Sequence, residues 1–192
     1  MIPGLEIEVV RIGQRVVRDD RVTTHVALVS RAFGAKAIFM TEVNPEIKDT
    51  VDKINKTWGG TFSVEFIEKW KPIIKKKKDE GFKIVHLTMY GEGINTVQSE
   101  LQNCDKLLIV VGAEKVPREI YTLADFNVGV GNQPHSEISA LAVLLDRINS
   151  GKQFEEKFQN AKRTIIPTRN GKNVIVKETR RGIQNCAPDY VW

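Results

Sequence analysis

Lys106–Ser136 reads KLLIVVGAEKVPREIYTLADFNVGVGNQPHS. Its two apolar runs, Leu107–Val111 and Phe126–Val130, each end in a glycine turn. The first opens into Gly112-Ala113-Glu114-Lys115-Val116-Pro117 and the second into Gly131-Asn132-Gln133-Pro134-His135-Ser136. A third such turn, Gly91-Glu92-Gly93, closes Ile84–Tyr90 just upstream. Short β-rich runs set between helical patterns predict a buried parallel sheet, and ligands bind beyond the carboxyl ends of such strands. Glycine turns at that edge form a pocket wall of backbone, whose amides and carbonyls read flat heterocycles and carboxylates. The stretch therefore predicts a bound cofactor.

Outward from this block, strand and helix alternate. Leu5–Ile12 alternates apolar and polar residues and reads as a strand, followed by an arginine-rich polar connection from Arg11 to Arg21. Thr24–Phe33 has helical spacing and stops at Gly34, and Ala37–Met40 is a short strand. Pro45–Trp58 is amphipathic, with Ile47, Val51, Ile54 and Trp58 at helical intervals before Gly59-Gly60. Phe62–Ile67 reads as a strand, Trp70–Glu80 as a helix carrying Lys75-Lys76-Lys77-Lys78, and Asn95–Gln102 as a helix between two pocket strands. Ser136–Ile148 is a strong helix and Phe154–Ala161 a shorter one. Asn170-Gly171 predicts a hairpin joining Ile165–Thr168 to Val174–Val176. The class is α/β with a mostly parallel sheet and helices on both faces. Residues 1–168 read as one domain, and 169–192 as a hairpin strand and basic tail containing Arg180-Arg181, Tyr190 and Trp192.

Composition narrows the classes. The chain is 41% hydrophobic and 28% charged, as in ordinary globular proteins. Its apolar runs are too short to span a bilayer and no signal peptide opens it, so no membrane partner is expected. Cys104 and Cys186 lack metal or disulfide spacing, which makes a reducing cytoplasm the expected compartment. A surplus of 29 basic over 24 acidic residues favours a polyanionic partner.

Several chemistries fall away. A Rossmann fingerprint needs G-x-G-x-x-G after the first strand, and both Gly91-Glu92-Gly93 and Gly129-Val130-Gly131 come late and lack the third glycine. There is no phosphate-binding G-x-x-x-x-G-K-[ST] loop, and His135 and Glu137 lack the C-x-x-C of a zinc deaminase. His25, His86 and His135 are scattered, so no metal is expected. Backbone-rich loops suit S-adenosylmethionine, which carries an activated methyl group and needs mainly to be oriented against its acceptor.

VHLTMYG (Val85–Gly91), VGAEKVP (Val111–Pro117) and VGVGNQPHSEISALA (Val128–Ala142) resemble the signature blocks of the archaeal tRNA cytidine-56 2′-O-methyltransferase family, within the SPOUT superfamily. RVTTHVALVSRAFGA (Arg21–Ala35) and Trp58-Gly59-Gly60 also resemble it, and the match covers roughly residues 9–168. The resemblance implies a SPOUT fold with a C-terminal trefoil knot, a homodimer, S-adenosylmethionine as donor and ribose methylation of tRNA at cytidine 56 in the T-loop. Carried over by motif, the cofactor contacts would be Leu87, Gly112, Ala113, Glu114, Lys115 and Val116, with Val130, Gly131, Asn132, Gln133, Pro134, His135, Ser136 and Glu137. Ser136 also reads as an N-cap and Glu137 as a first-turn acid, duties compatible with lining a pocket.

The resemblance implies an arginine in the first motif, often accompanied by asparagine. This chain departs from that pattern: no asparagine stands near Arg18, Asp19, Asp20 and Arg21, and Leu28 falls near the superfamily's arginine site. Ribose hydroxyls are weak acids, and a guanidinium can hold the neighbouring phosphate and stabilise developing alkoxide. Arg21 is the first catalytic candidate and Arg18 the second, against a reading as surface arginines paired with Asp19 and Asp20. Lys75–Lys78 is either a solvated helix face or a source of phosphate contacts. Two rival functions stay open: a non-catalytic RNA-binding or assembly protein that keeps the knot, and a base methyltransferase on the same fold.

Overall fold

The computed structural model describes residues 4–13, 20–41, 44–113 and 115–177. Six parallel strands form one sheet in the order β3-β2-β1-β5-β4-β6. They are β1 (Glu6–Ile12), β2 (Ala37–Met40), β3 (Ser63–Phe66), β4 (Lys83–Gly93), β5 (Lys106–Gly112) and β6 (Phe126–Gly129). The connecting helices are α1 (Asp20–Ala32), α2 (Glu46–Trp58), α3 (Trp70–Asp79), α4 (Ile94–Gln102) and α5 (Glu119–Leu123), and α6 (Glu137–Asn149) follows β6. β6 lies on the side of β4 away from β5 and pairs with it, Val85 opposite Phe126 and Leu87 opposite Val128.

The expected parallel α/β sheet with helices on both faces is what the chain builds. On one face Ile7 and Val9 of β1 pack with Val26 of α1, Val51 of α2, Leu101 of α4 and Leu144 of α6. On the other, Val10 and Ile12 pack with Ile73 and Ile74 of α3 and Ile120 of α5. Burial on both sides is why β5 reads as an unbroken apolar run. Each fully buried aliphatic side chain contributes about 1.5–3 kcal/mol against the entropy of ordering the chain.

The polar positions Glu8 and Arg11 of β1 are buried. Glu8 is 8% exposed and meets Lys77 of α3, while Arg11 is wholly buried and meets Glu137 of α6. Lys77 thereby leaves the solvated face expected for its run, whereas Lys75, Lys76 and Lys78 are exposed.

Other differences have local causes. α1 begins at Asp20, four residues before the expected start at Thr24, so Arg21 lies in its first turn. β4 does not stop at Tyr90: after a shift between Leu87 and Glu92 it rejoins β6, with Glu92 opposite Val128. Gly91 is therefore a crossing point, since a Cβ there would lie 2.5 Å from Asn127 C and O and from Val128 N. The short α5, which follows Pro117, was not foreseen.

No helix forms over 154–161. Lys152–Glu155 makes a single 3₁₀ turn, and the chain beyond it bonds to the end of α2. Gly60 N donates to Gln159 O, Lys162 N donates to Thr57 O, and the Phe158 ring lies 4.5 Å beneath the Arg31 guanidinium. The expected hairpin pairs β7 (Arg163–Ile165) with β8 (Val174–Val176), a shorter first strand than Ile165–Thr168. Pro167 has no N–H to donate, so pairing ends at the bond from Ile166 N to Asn173 O and the connection is longer than Asn170-Gly171. The boundary expected at residue 168 falls within this connection.

Candidate functional site

Loops at the carboxyl ends of β4, β5 and β6 enclose a cavity of about 470 Å³. The β4 loop supplies Leu87, Thr88, Met89 and Tyr90, and the β5 loop Gly112, Ala113, Lys115 and Val116. The β6 loop supplies Val130, Gly131, Gln133, Pro134, His135, Ser136 and Glu137. The structure thus brings together most of the expected cofactor residues. Asn132 does not line the cavity; its Nδ2 donates to Met89 O at 2.7 Å and Gly91 O at 3.3 Å, tying the β6 loop to the β4 loop. Glu114 and Arg18 lie outside the described residues, as do Arg180, Arg181, Tyr190 and Trp192.

The third wall is built by local rules. Gly131 takes φ +73°, where a side chain is strained, and open space lies where its Cβ would be. Ser136 caps α6 as expected, its Oγ accepting from Ile138 N at 3.2 Å, and Glu137 follows in the first turn. His135 Nε2 bonds to Val130 O and latches the loop across its base.

The cavity floor holds groups whose roles were not legible in the sequence. His86, wholly buried on β4, places Nδ1 2.9 Å from Asn127 Oδ1. Asn127 Nδ2 donates to Tyr121 O, so its Oδ1 accepts from His86 Nδ1–H and Nε2 carries the lone pair. Burial pushes the imidazole below its ordinary pKa, against the opposing pull of the Asn127 bond. The Tyr121 ring stands edge-on to His86 at 4.7 Å, and its hydroxyl lies 3.1 Å from Thr88 Oγ1. This neutral network supports the β4 loop from below. A histidine inside an apolar strand was the available signal.

Arg11 was also missed. It ends an apolar strand, and its Nη1 lies 3.5 Å from Glu137 Oε1, joining the centre of the sheet to the first turn of α6. Arg21 is exposed and does not line the cavity. It sits on the same edge of the sheet, because α1 begins where β1 ends and packs along α6. Asn149 Nδ2 donates to Phe33 O and fixes the other ends of that helix pair.

Among the described residues, the site offers backbone polarity, apolar surface from Leu87 and Val116, and one acidic side chain, Glu137. Such a surface suits a flat heterocycle with a polar tail. Among the described residues, no helix is long and apolar enough to cross a membrane.

The fold is that of the SpoU methyltransferases. It resembles AviRb from Streptomyces viridochromogenes, solved with AdoMet, with a TM-score of 0.54 and 10% identity over 79% of this chain and 60% of that one. It also resembles the A. aeolicus TrmH/SpoU tRNA modifying enzyme, with a TM-score of 0.55 and 16% identity over 80% of each chain. Residues 58–175 match the family model for tRNA ribose 2′-O-methyltransferase, aTrm56, and this chain belongs to that family. The tRNA (cytidine(56)-2′-O)-methyltransferase of Nitrosopumilus maritimus is 78% identical over 91% of this chain and 98% of its own length. That of Thermococcus kodakarensis is 51% identical over 90% of this chain and 98% of its own.

Proposed function

We propose that this protein transfers a methyl group from S-adenosylmethionine to the ribose 2′-oxygen of cytidine 56 in tRNA. The observation that carries the reading is the backbone-walled cavity at the ends of β4, β5 and β6, in a chain of this family. The cavity fits the cofactor: Gly131 leaves open space where a side chain would stand, apolar Leu87 and Val116 suit a purine, and Glu137 suits the amino group of the methionyl part. When bound, S-adenosylmethionine would supply an activated sulfonium methyl for the ribose oxygen, leaving S-adenosylhomocysteine, with the hydroxyl proton passing to water.

The chain's own residues bind and orient. Gly112, Ala113, Lys115 and Val116, with Leu87, would hold the cofactor, and Val130, Gly131, Gln133, Pro134, His135, Ser136 and Glu137 would close the third side. Arg21 meets the ribose and its phosphate, lowering the cost of losing the proton. The protein acts as a homodimer in which Arg21 of one subunit serves the cavity of the other; its exposure in the first turn of α1 and its absence from its own cavity wall support that arrangement. The placement of β6 beyond β4, on the side away from β5, is consistent with a C-terminal trefoil knot. Residues 1–168 form the methyltransferase unit and 169–192 an appended strand and basic tail, and the cytoplasm is its place of work.

Calorimetry with S-adenosylmethionine in chelator tests the cofactor. Binding without added metal supports the reading, and binding only after zinc or magnesium overturns it.

A further inference from the structure

The carboxyl ends of β1, β2 and β3 border a second cleft, of about 770 Å³, on the flank of the cofactor cavity. Ile12, Gly13 and Thr41 form one side, and Glu68-Lys69-Trp70-Lys71, running into α3, form another. Lys115, Val116 and Pro117 complete it. Lys115 and Val116 also line the cofactor cavity, so the two spaces share a wall.

Its lining is basic and aromatic. Among the described residues its lining carries Lys69, Lys71 and Lys115 and one acid, Glu68. Lys71 is offset by Glu119 at 2.5 Å, while Lys69 and Lys115 are exposed. Trp70 is half-buried: it packs on the core beneath α3, and the Lys71 ammonium lies 5.5 Å from its ring centre. An anchored aromatic ring beside exposed cations is the arrangement that takes single-stranded nucleic acid, bases stacking on the ring and phosphates meeting the charges.

We propose that this cleft holds the strand of tRNA adjoining the methylated ribose, with a base on Trp70 and a flanking phosphate on Lys69. The proposal rests on the reading of the chain as a tRNA ribose methyltransferase. A ribose presented to the cofactor must bring its neighbouring nucleotides along the same edge of the sheet, and the cleft opens there against the wall both spaces share. The Lys75–Lys78 run sits roughly 7–12 Å further along α3, toward the opposite edge of the sheet. There Lys77 is taken up by Glu8. The phosphate contacts thus move from the lysine run to the start of the same helix.

The test measures tRNA KM, kcat and direct tRNA affinity for the full chain, with cofactor affinity as the control for folding. Lys69→Glu should raise KM and weaken tRNA binding by about tenfold, with kcat and cofactor affinity nearly unchanged. Trp70→Leu, which keeps an apolar side chain on the core, should weaken tRNA binding by roughly tenfold. The Lys75→Glu/Lys76→Glu variant, with twice the change of charge, should bind like wild type. A Lys69→Glu variant with wild-type affinity overturns the phosphate contact, and a folded Trp70→Leu variant with wild-type affinity overturns the stack. An equal loss in the Lys75/Lys76 variant overturns the location. If the wild-type protein binds tRNA but transfers no methyl group, the functional reading fails, and direct affinity still decides the cleft.

Discussion

The guanidinium of Arg11, at the end of the central strand, lies 3.5 Å from the carboxylate of Glu137, in the first turn of the helix that walls the cofactor cavity. Arg11 is fully buried, whereas the Glu137 side chain is 30% exposed. Removing one member of a buried pair leaves the other charge without compensation. Arg11→Ala should therefore cost about 3–5 kcal/mol of stability by denaturant titration. Glu137→Gln takes the carboxylate charge away from the buried Arg11 guanidinium, so it should also cost stability, by about 1–3 kcal/mol, and should weaken cofactor binding.

The Lys77–Glu8 pair makes a pH prediction. Desolvation pulls the Lys77 pKa down, but hydrogen bonds and charge from Glu8 and Glu80 outweigh it, leaving it above the ordinary 10.5. A group raised on folding stabilises fully below its unfolded pKa and loses that contribution as pH rises through the folded one. Wild type should thus lose stability above about pH 10.5 more steeply than Lys77→Met. Lys75→Gln should shift stability by no more than about 0.5 kcal/mol. Equal pH profiles for wild type and Lys77→Met would contradict the assignment.

Gly91 and Gly131 should fail differently. Gly91→Ala drives a methyl into the Asn127–Val128 backbone and should destabilise by about 3 kcal/mol or more, with loss of the β4 loop's shape. Gly131→Ala meets open space but keeps φ +73°, a strain of about 1–2 kcal/mol. Thermal melts with and without cofactor separate the two. Gly131→Val should leave a folded protein that does not bind cofactor.

Much of this was legible because apolar runs and helix periods are local properties. The six sheet strands and the cavity's Gly112 and Gly131 loops were anticipated in place, and Ala37–Met40 matched to the residue, whereas Gly91-Glu92-Gly93, expected as a third glycine turn, lies within β4 and off the cavity wall. What was not legible depends on long-range contact. Arg11 read as part of a polar connection and Lys77 as part of a solvated helix face, because their partners Glu137 and Glu8 lie far away in sequence. The 154–161 segment carried helical spacing, yet Gly60 and Thr57 take its backbone bonds. Asn132 read as a ligand-facing amide, and the crossing at Gly91 turned it onto the β4 loop.

Arg21 is tested by complementation. Arg21→Ala should retain cofactor affinity and lose methyl transfer by at least ~100-fold, the loss typical of one electrostatic catalytic group. Mixed with cofactor-dead Gly131→Val, it should regain part of the activity through hybrid dimers. Full activity in Arg21→Ala would remove it from the mechanism and make Arg18 the next candidate. Dead mixtures of two dead variants would place the site within one subunit.

The central claim is methyl transfer to one ribose oxygen. The protein is incubated with methyl-labelled S-adenosylmethionine and two tRNAs, identical except that one carries dC56 in place of cytidine 56. The account predicts label in the first, recovered as 2′-O-methylcytidine at position 56, and none in the second. Label on a base, at another nucleotide, or retained in the dC56 tRNA would contradict it.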